Sequence, residues 1–281
     1  MKKTNRRNFI KLSGMGLASA ALWANGCSSE KAQKQGTPDG FLKLGMASYT
    51  FREFPLEEAI AMTRRLDLRW ISLKSFHLPL ESTEQEIKEA AEKVRASGLD
   101  LYGGGVIYMS SEQEVERAFL YARAAGIKII IGVPGHELLG LVEEKVKEFD
   151  IKLAIHNHGP TDKLYPTPGS AYERIKGLDS RVGICLDIGH TQRAGVDPSE
   201  AAERYKDRLL DVHIKDVTRA DKDGTTIELG RGVIDIPRFL KTLLDIRYQG
   251  CAALEFEKDG KDPLPGAAES IGFVNGVMSV I

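Results

Sequence analysis

From residue 41 onward, short apolar, β-branched runs alternate with longer stretches whose apolar residues recur every three to four positions. The first class comprises 41–51 (FLKLGMASYTF), 68–75 (LRWISLKS), 99–108 (LDLYGGGVIY) and 127–134 (IKIIIGVP). It continues with 151–158 (IKLAIHNH), 182–190 (VGICLDIGH), 209–216 (LLDVHIKD) and 251–257 (CAALEFE). These read as strands. Between them LEEAIAMTRRL, EQEIKEAAEKVRASG, EQEVERAFLYARAAG and HELLGLVEEKVKEF have the helical period. Several helical stretches follow a Ser or Thr cap, and several close on glycine, as at Gly98 and Gly126. Eight strand–helix repeats in 41–281 predict a single (β/α)8 TIM barrel. A doubly wound open sheet is the alternative, but it has fewer strands and a glycine-rich first turn. The first strand here ends ASYTFREF, without that fingerprint. YGGGV at 102–106 lacks both the P-loop Lys-Ser/Thr and the GxGxxG spacing, and reads as a crowded strand.

The first 40 residues follow a different pattern. MKKTNRRNFIK is basic, LSGMGLASAALWANG is apolar and small, and Cys27 precedes a polar stretch. This is the order of an export signal, with a run too short for a permanent membrane span. NRRNFIK resembles a twin-arginine signal, and ANGC resembles a lipoprotein cleavage site. The expected organisation is a signal at 1–27, a tether at 28–40 and the barrel at 41–281. The product would be periplasmic, or held to a membrane only by a lipid on Cys27. A plain secretory signal or an uncleaved anchor is the alternative. Cys185 and Cys251 sit in strand-like runs and are expected to be buried free thiols. With 39 basic and 40 acidic residues, the chain lacks the basic excess of a nucleic-acid module.

Candidate chemistry collects where the strands end, which in such a barrel is the functional face. All six histidines fall just past or at the end of a predicted strand: His77, His136, His156, His158, His190 and His213. Lys74, Asp187, Lys215, Asp216, Glu255 and Glu257 fall there too. Residues two apart on a strand share a face, so His156 pairs with His158, His213 with Lys215 and Glu255 with Glu257. Imidazoles and carboxylates converging from successive strands suit one divalent ion: Mn, Co, Zn, Mg or Fe.

The motifs LAIHNHGP, CLDIGHTQRAGVDP, RLLDVHIKDV, GRGVIDIPRFLKTL and YQGCAALEFE occur in this order. Together they resemble the xylose isomerase-like barrel family of sugar isomerases and epimerases, over roughly 41–281. The resemblance implies a metal held by Asp187, His213 and Glu255, with His156 where the family has a glutamate. His158 is the alternative ligand at that strand end. The resemblance also implies proton abstraction beside a sugar carbonyl through a metal-stabilised enediolate, and raises dimerisation as an open question. Because one family glutamate is replaced, symmetric two-carboxylate epimerisation is in doubt. Candidate acid–base groups are Glu255, His158, His190 and Lys215. Lys74, His77, Arg193 and Arg231 are candidate contacts to a small sugar or keto-sugar. The alternatives are a 3-keto-glycoside lyase or hydratase, a non-catalytic sugar-binding lipoprotein, and a nuclease of the same barrel, which the charge balance disfavours.

Overall fold

The structure is a computed structural model and describes residues 42–281. The signal and tether expected at 1–27 and 28–40, Cys27 included, lie outside the described residues. The chain forms β1 (Lys43–Ala47), β2 (Trp70–Leu73), β3 (Asp100–Met109), β4 (Ile129–Pro134) and β5 (Lys152–His156). Then follow β6 (Val182–Asp187), β7 (Leu209–Ile214), a short antiparallel ribbon of β8 (Asp216–Val217) and β9 (Thr226–Ile227), and β10 (Cys251–Leu254). The order β1-β10-β7-β6-β5-β4-β3-β2 closes into an eight-stranded barrel with every neighbour parallel. The predicted (β/α)8 barrel is therefore the fold.

The helices are α1 (Leu56–Arg65), α2 (Glu84–Ala96), α3 (Glu112–Ala125), α4 (Leu139–Phe149) and α5 (Pro168–Ile175). They continue with α6 (Ile188–Arg193), α7 (Pro198–Arg204), α8 (Ile236–Asp245) and α9 (Leu264–Met278). Local chemistry fixes several ends. Thr83 accepts from the Glu86 backbone N–H while the Glu86 carboxylate accepts from Thr83, closing a capping box on α2. Ser111 caps α3, which stops at Gly126 with φ of 64°, a left-handed turn that glycine adopts without a Cβ penalty.

Most of the core lies between barrel and helices, with Ile130, Leu153, Ile184, Val212, Phe239 and Leu243 buried. A smaller cluster of Ala47, Cys251 and Ala253 packs with Trp70 and Tyr102. Cys185 and Cys251 are free and buried, as expected. The predicted strands extend past the hydrogen-bonded ladders at their C-terminal ends. The run at 41–51 leaves the sheet at Ala47 and turns into a 3-10 segment, Ser48–Phe51. His158, His190, Lys215, Glu255 and Glu257 all stand just beyond such ladders. The long excursion after β8 is fastened by Asp216, whose carboxylate accepts from the backbone N–H groups of Gly230, Gly232 and Ile234.

Candidate active site

Adjacent strands β5, β6, β7 and β10 each end in one metal-capable side chain. Asp187, the last residue of β6, lies in register with His213 on β7. His156 ends β5, and the Glu255 backbone N–H donates to Ile214 O at 3.0 Å just past β10. Donor atoms of His156, Asp187, His213 and Glu255 all lie within 4.8 Å of one another, and all four residues are buried. His156 Nε2 is 3.2 Å from His213 Nδ1 and 3.4 Å from Asp187 Oδ2. His213 Nδ1 is 3.3 Å from Glu255 Oε2.

A lysine completes this cluster. Lys215 shares the inward face of β7 with His213, and its Nζ lies 2.6 Å from Glu255 Oε2 and 3.0 Å from Asp187 Oδ2. It also donates to Glu257. Gly189 makes room for it: a Cβ there would sit 2.4 Å from Lys215 Cγ. Burial opposes each charge, but mutual attraction prevails. The Lys215 ammonium is held well above its usual range by Asp187, Glu255 and Glu257. Asp187 and Glu255 are both held low, chiefly by Lys215. His213 is raised by Glu255 despite burial, whereas burial dominates at His156 and holds it well below the imidazole range.

Further groups hold the ligands in place. Asp187 caps α6 by accepting from the His190 backbone N–H at 2.7 Å. Asn157, on the opposite face of its strand end from His156, accepts from the Asp187 N–H and donates to Asp187 O and Thr191 Oγ1. Asp211 lies one layer below His213 on β7, with Oδ2 3.6 Å from His213 Nε2. At that distance Asp211 stands behind the ring without a hydrogen bond to it, and the other ring nitrogen, Nδ1, faces the centre. Burial lifts Asp211 to about 7.

The described residues fit a divalent ion. Two imidazoles and two carboxylates form a mixed N/O donor set. Asp187 Oδ2 is buried and accepts no hydrogen bond, although the Lys215 ammonium is 3.0 Å away.

Above the cluster opens a cavity of about 210 Å3. His158, His190, Lys74 and Glu257 line it with His156 and Glu255. His158 Nδ1 is 3.5 Å from His156 Nδ1, and His158 Nε2 is 3.2 Å from the Tyr108 hydroxyl. Both rings line the cavity, and His156 alone also belongs to the donor cluster. Burial and the neighbouring His190 hold His158 down to about 4. Burial also lowers His190 and Lys74.

Two expected substrate contacts are corrected. His77 is buried beneath the 3-10 segment, with Nδ1 2.9 Å from Ser48 Oγ and Nε2 3.2 and 3.1 Å from the carbonyls of Phe51 and Phe54. Those contacts use both ring nitrogens, so His77 braces the loop after β1. Arg231 lies outside the cavity lining and pairs with Glu269 of α9 at 2.7 Å. His136 is likewise structural, bonding Leu164 O at 3.1 Å. Arg193 lies at the rim, 3.4 Å from His190 Nδ1, and faces a neighbouring cleft. Sequence reading missed Tyr49 and Tyr108 in the cavity wall, and Asp211 behind His213. The D-x-H spacing in LLDVHIKD carried the signal for Asp211, because alternate residues share a face.

The chain is a closed TIM barrel with a buried cluster of imidazoles and carboxylates at its C-terminal mouth, a donor set that suits a divalent ion. More narrowly, the chain belongs to the xylose isomerase-like TIM barrel family, whose model matches residues 58–276. It is 29% identical to the rhizopine catabolism protein MocC of Rhizobium meliloti over 50% of this chain and 47% of that protein, so the match spans about half that relative's length. It is 23% identical to an inosose dehydratase of Lacticaseibacillus casei, over 60% of this chain and 72% of that one. In structure it resembles the IOLI protein with a binding zinc atom, at a TM-score of 0.73 and 17% identity, covering 85% of this chain and 98% of that one.

Proposed function

We propose that this protein is a divalent-metal enzyme that removes the carbon-bound proton beside the carbonyl of a small keto-sugar, isomerising or epimerising it. The observation that carries this reading is the convergence of His156, Asp187, His213 and Glu255 beneath a cavity walled by two further imidazoles and the ammonium of Lys74. Those four residues would hold the ion, as the zinc in the IOLI structure also supports. When bound, the ion supplies Lewis-acid polarisation of a carbonyl and its neighbouring hydroxyl.

The chain's own groups do the rest. His158 is neutral near pH 7, lines the cavity and has its Nε2 steered by Tyr108, so it is placed to accept a proton from carbon. Lys74 Nζ lies 5.4 Å from the Tyr49 ring centroid and has no carboxylate partner among the described residues. Its charge stabilises the oxygen that becomes negative as the proton leaves. Return of the proton to the neighbouring carbon gives the isomer, and its return to the same carbon from the other face gives the epimer. His190, on the cavity wall 5.6 Å from the His158 ring, is the second proton-handling group.

A second reading is elimination, in which the enediolate expels hydroxide or an aglycone from the next carbon. The inosose dehydratase relatives support it, as does the imidazole of His156 at a strand end where a proton-shuttling glutamate is the family pattern. The basic and apolar segment before Cys27 supports export, where unphosphorylated sugars are the accessible substrates.

The test is proton NMR in deuterated water with the Mn- or Zn-loaded full chain and, in turn, a ketose, an inosose and a 3-keto-glucoside. Deuterium beside the carbonyl of an intact or epimerised sugar supports the first reading. Loss of water or aglycone supports the second. Absence of exchange in all three would remove both.

A further inference from the structure

Next to the catalytic cavity lies a second, larger space. Glu257 lines both: on one side the cavity of about 210 Å3, on the other a cleft of about 550 Å3. The cavity is the size of one sugar ring, and the cleft could take another. The cleft is bordered by Arg193, Lys258 and three threonines of the ribbon, Thr218, Thr225 and Thr226. Hydroxyls both donate and accept, which suits a polyhydroxylated ligand.

The cations of this cleft differ in one respect. Lys258 is already paired, with Nζ 2.8 Å from Glu228 Oε1. Arg193 has no carboxylate within ion-pair distance among the described residues. Its Nη2 donates to Lys222 O at 2.9 Å and its Nη1 to His190 Nδ1 at 3.4 Å, both neutral acceptors. Its Nε is buried and has no partner. A half-buried guanidinium held in place by neutral acceptors, with no carboxylate to neutralise it, is a fixed positive charge on the cleft wall. One unpaired cation matches a single negative charge, and a carboxylate fits guanidinium geometry. A phosphate dianion would call for a second free cation, and Lys258 is engaged.

We propose that the cleft beside Glu257 is a second subsite, in which Arg193 receives the carboxylate of a uronic-acid residue attached to the sugar in the catalytic cavity. The substrate class this adds is a uronic-acid-containing glycoside whose keto-sugar ring occupies the inner cavity and whose uronate ring occupies the cleft. This rests on the proposed function for the inner cavity, and the test separates the two.

Isothermal titration of the Mn-loaded full chain would compare cellobiose with the matching glucuronosyl-glucose. The expected result is at least tenfold tighter binding of the uronate. The preference should fall to near unity in Arg193→Ala and in Arg193→Gln, the latter keeping shape and hydrogen bonding but not charge. Thermal melting of both variants establishes that they fold. Equal binding of the two probes by the wild type, or an undiminished preference in Arg193→Gln, would overturn the subsite. Deuterium exchange into a ketose by the wild type, measured separately, reports on the inner cavity alone. Exchange without uronate preference ends this inference and leaves the proposed function standing. The reverse pattern ends the proposed function and leaves a uronate-binding cleft.

Discussion

At the scale of single residues, the centre is a balance of opposed charges in a buried space. Asp187 and Glu255 would repel each other without a cation between them, and Lys215 supplies one. A divalent ion must share those carboxylates with an ammonium that repels it, a repulsion of several kcal/mol between unit charges a few ångströms apart at an intermediate dielectric. Lys215→Met is therefore expected to tighten Mn or Zn binding by about tenfold or more, measured by titration calorimetry, while the metal-free protein loses stability. Weaker metal binding in that variant would mean that Lys215 orients the ligands and does not compete with the ion. His213→Ala removes a donor from the centre of the cluster. It is expected to abolish stoichiometric metal, read by elemental analysis, together with deuterium exchange. Asp211→Asn keeps the shape behind His213 but removes a carboxyl that is ionised above about 7, and should lower metal affinity by up to about tenfold, more at pH 8 than at pH 6, read by titration calorimetry.

At the scale of elements, strand ends and helix caps decide where chemistry can sit. Thr83 closes the capping box of α2, so Thr83→Ala should lower unfolding free energy by about 1 kcal/mol, visible in the urea midpoint. Gly189→Ala would drive a methyl into the Lys215 stem and is expected to displace its ammonium. Metal titration should reveal the change even where the protein stays folded. The eight barrel strands were legible because apolar runs bounded by polar loops recur through the chain, and His156, Asp187, His213 and Glu255 were legible because they follow those runs. The same signal overreached at His77, because position after a strand says that a side chain is near the mouth, not that it faces inward. Arg231 carries only its charge as a sequence signal, which does not say what it pairs with. His77 turns toward Ser48 and the carbonyls of the 3-10 segment, and Arg231 finds Glu269 on a helix distant in sequence. Contacts of that range leave no local pattern to read. The same holds for Tyr108, whose meeting with His158 joins β3 to the end of β5.

At the scale of the whole molecule, buried imidazoles tie stability to pH. Burial lowers His77, His156, His158 and His190, and only His213 moves the other way. An unfolded chain titrates its histidines near 6.5. For each lowered group the unfolded state binds more protons between 6.5 and the folded value, so stability is complete above about 6.5 and is lost as pH falls. His158, at about 4 when folded, accounts for roughly 3 kcal/mol of that loss. His213, being raised, contributes stability at low pH that is lost as pH rises through its folded value, and Asp211, lifted to about 7, does the same between about 4 and 7; these two groups offset part of the loss from the four lowered imidazoles. The metal-free chain is expected to show a clearly lower urea midpoint at pH 4.5 than at pH 7.5. A flat profile would indicate that these rings are hydrated in solution.

The Asp216 clamp has a consequence for how new specificities arise on this scaffold. One carboxylate at the start of β8 gathers the returning backbone at Gly230, Gly232 and Ile234, so both ends of the excursion that forms the cleft wall are held at one point. Residues 218–229 thus form a cartridge between fixed ends, and its replacement by the matching segment of a relative is expected to leave the His156, Asp187, His213 and Glu255 cluster intact, read by metal titration, while altering the setting of Arg193, which Lys222 O holds. A laboratory library confined to that cartridge samples new outer-ring preferences while every clone inherits the same chemistry.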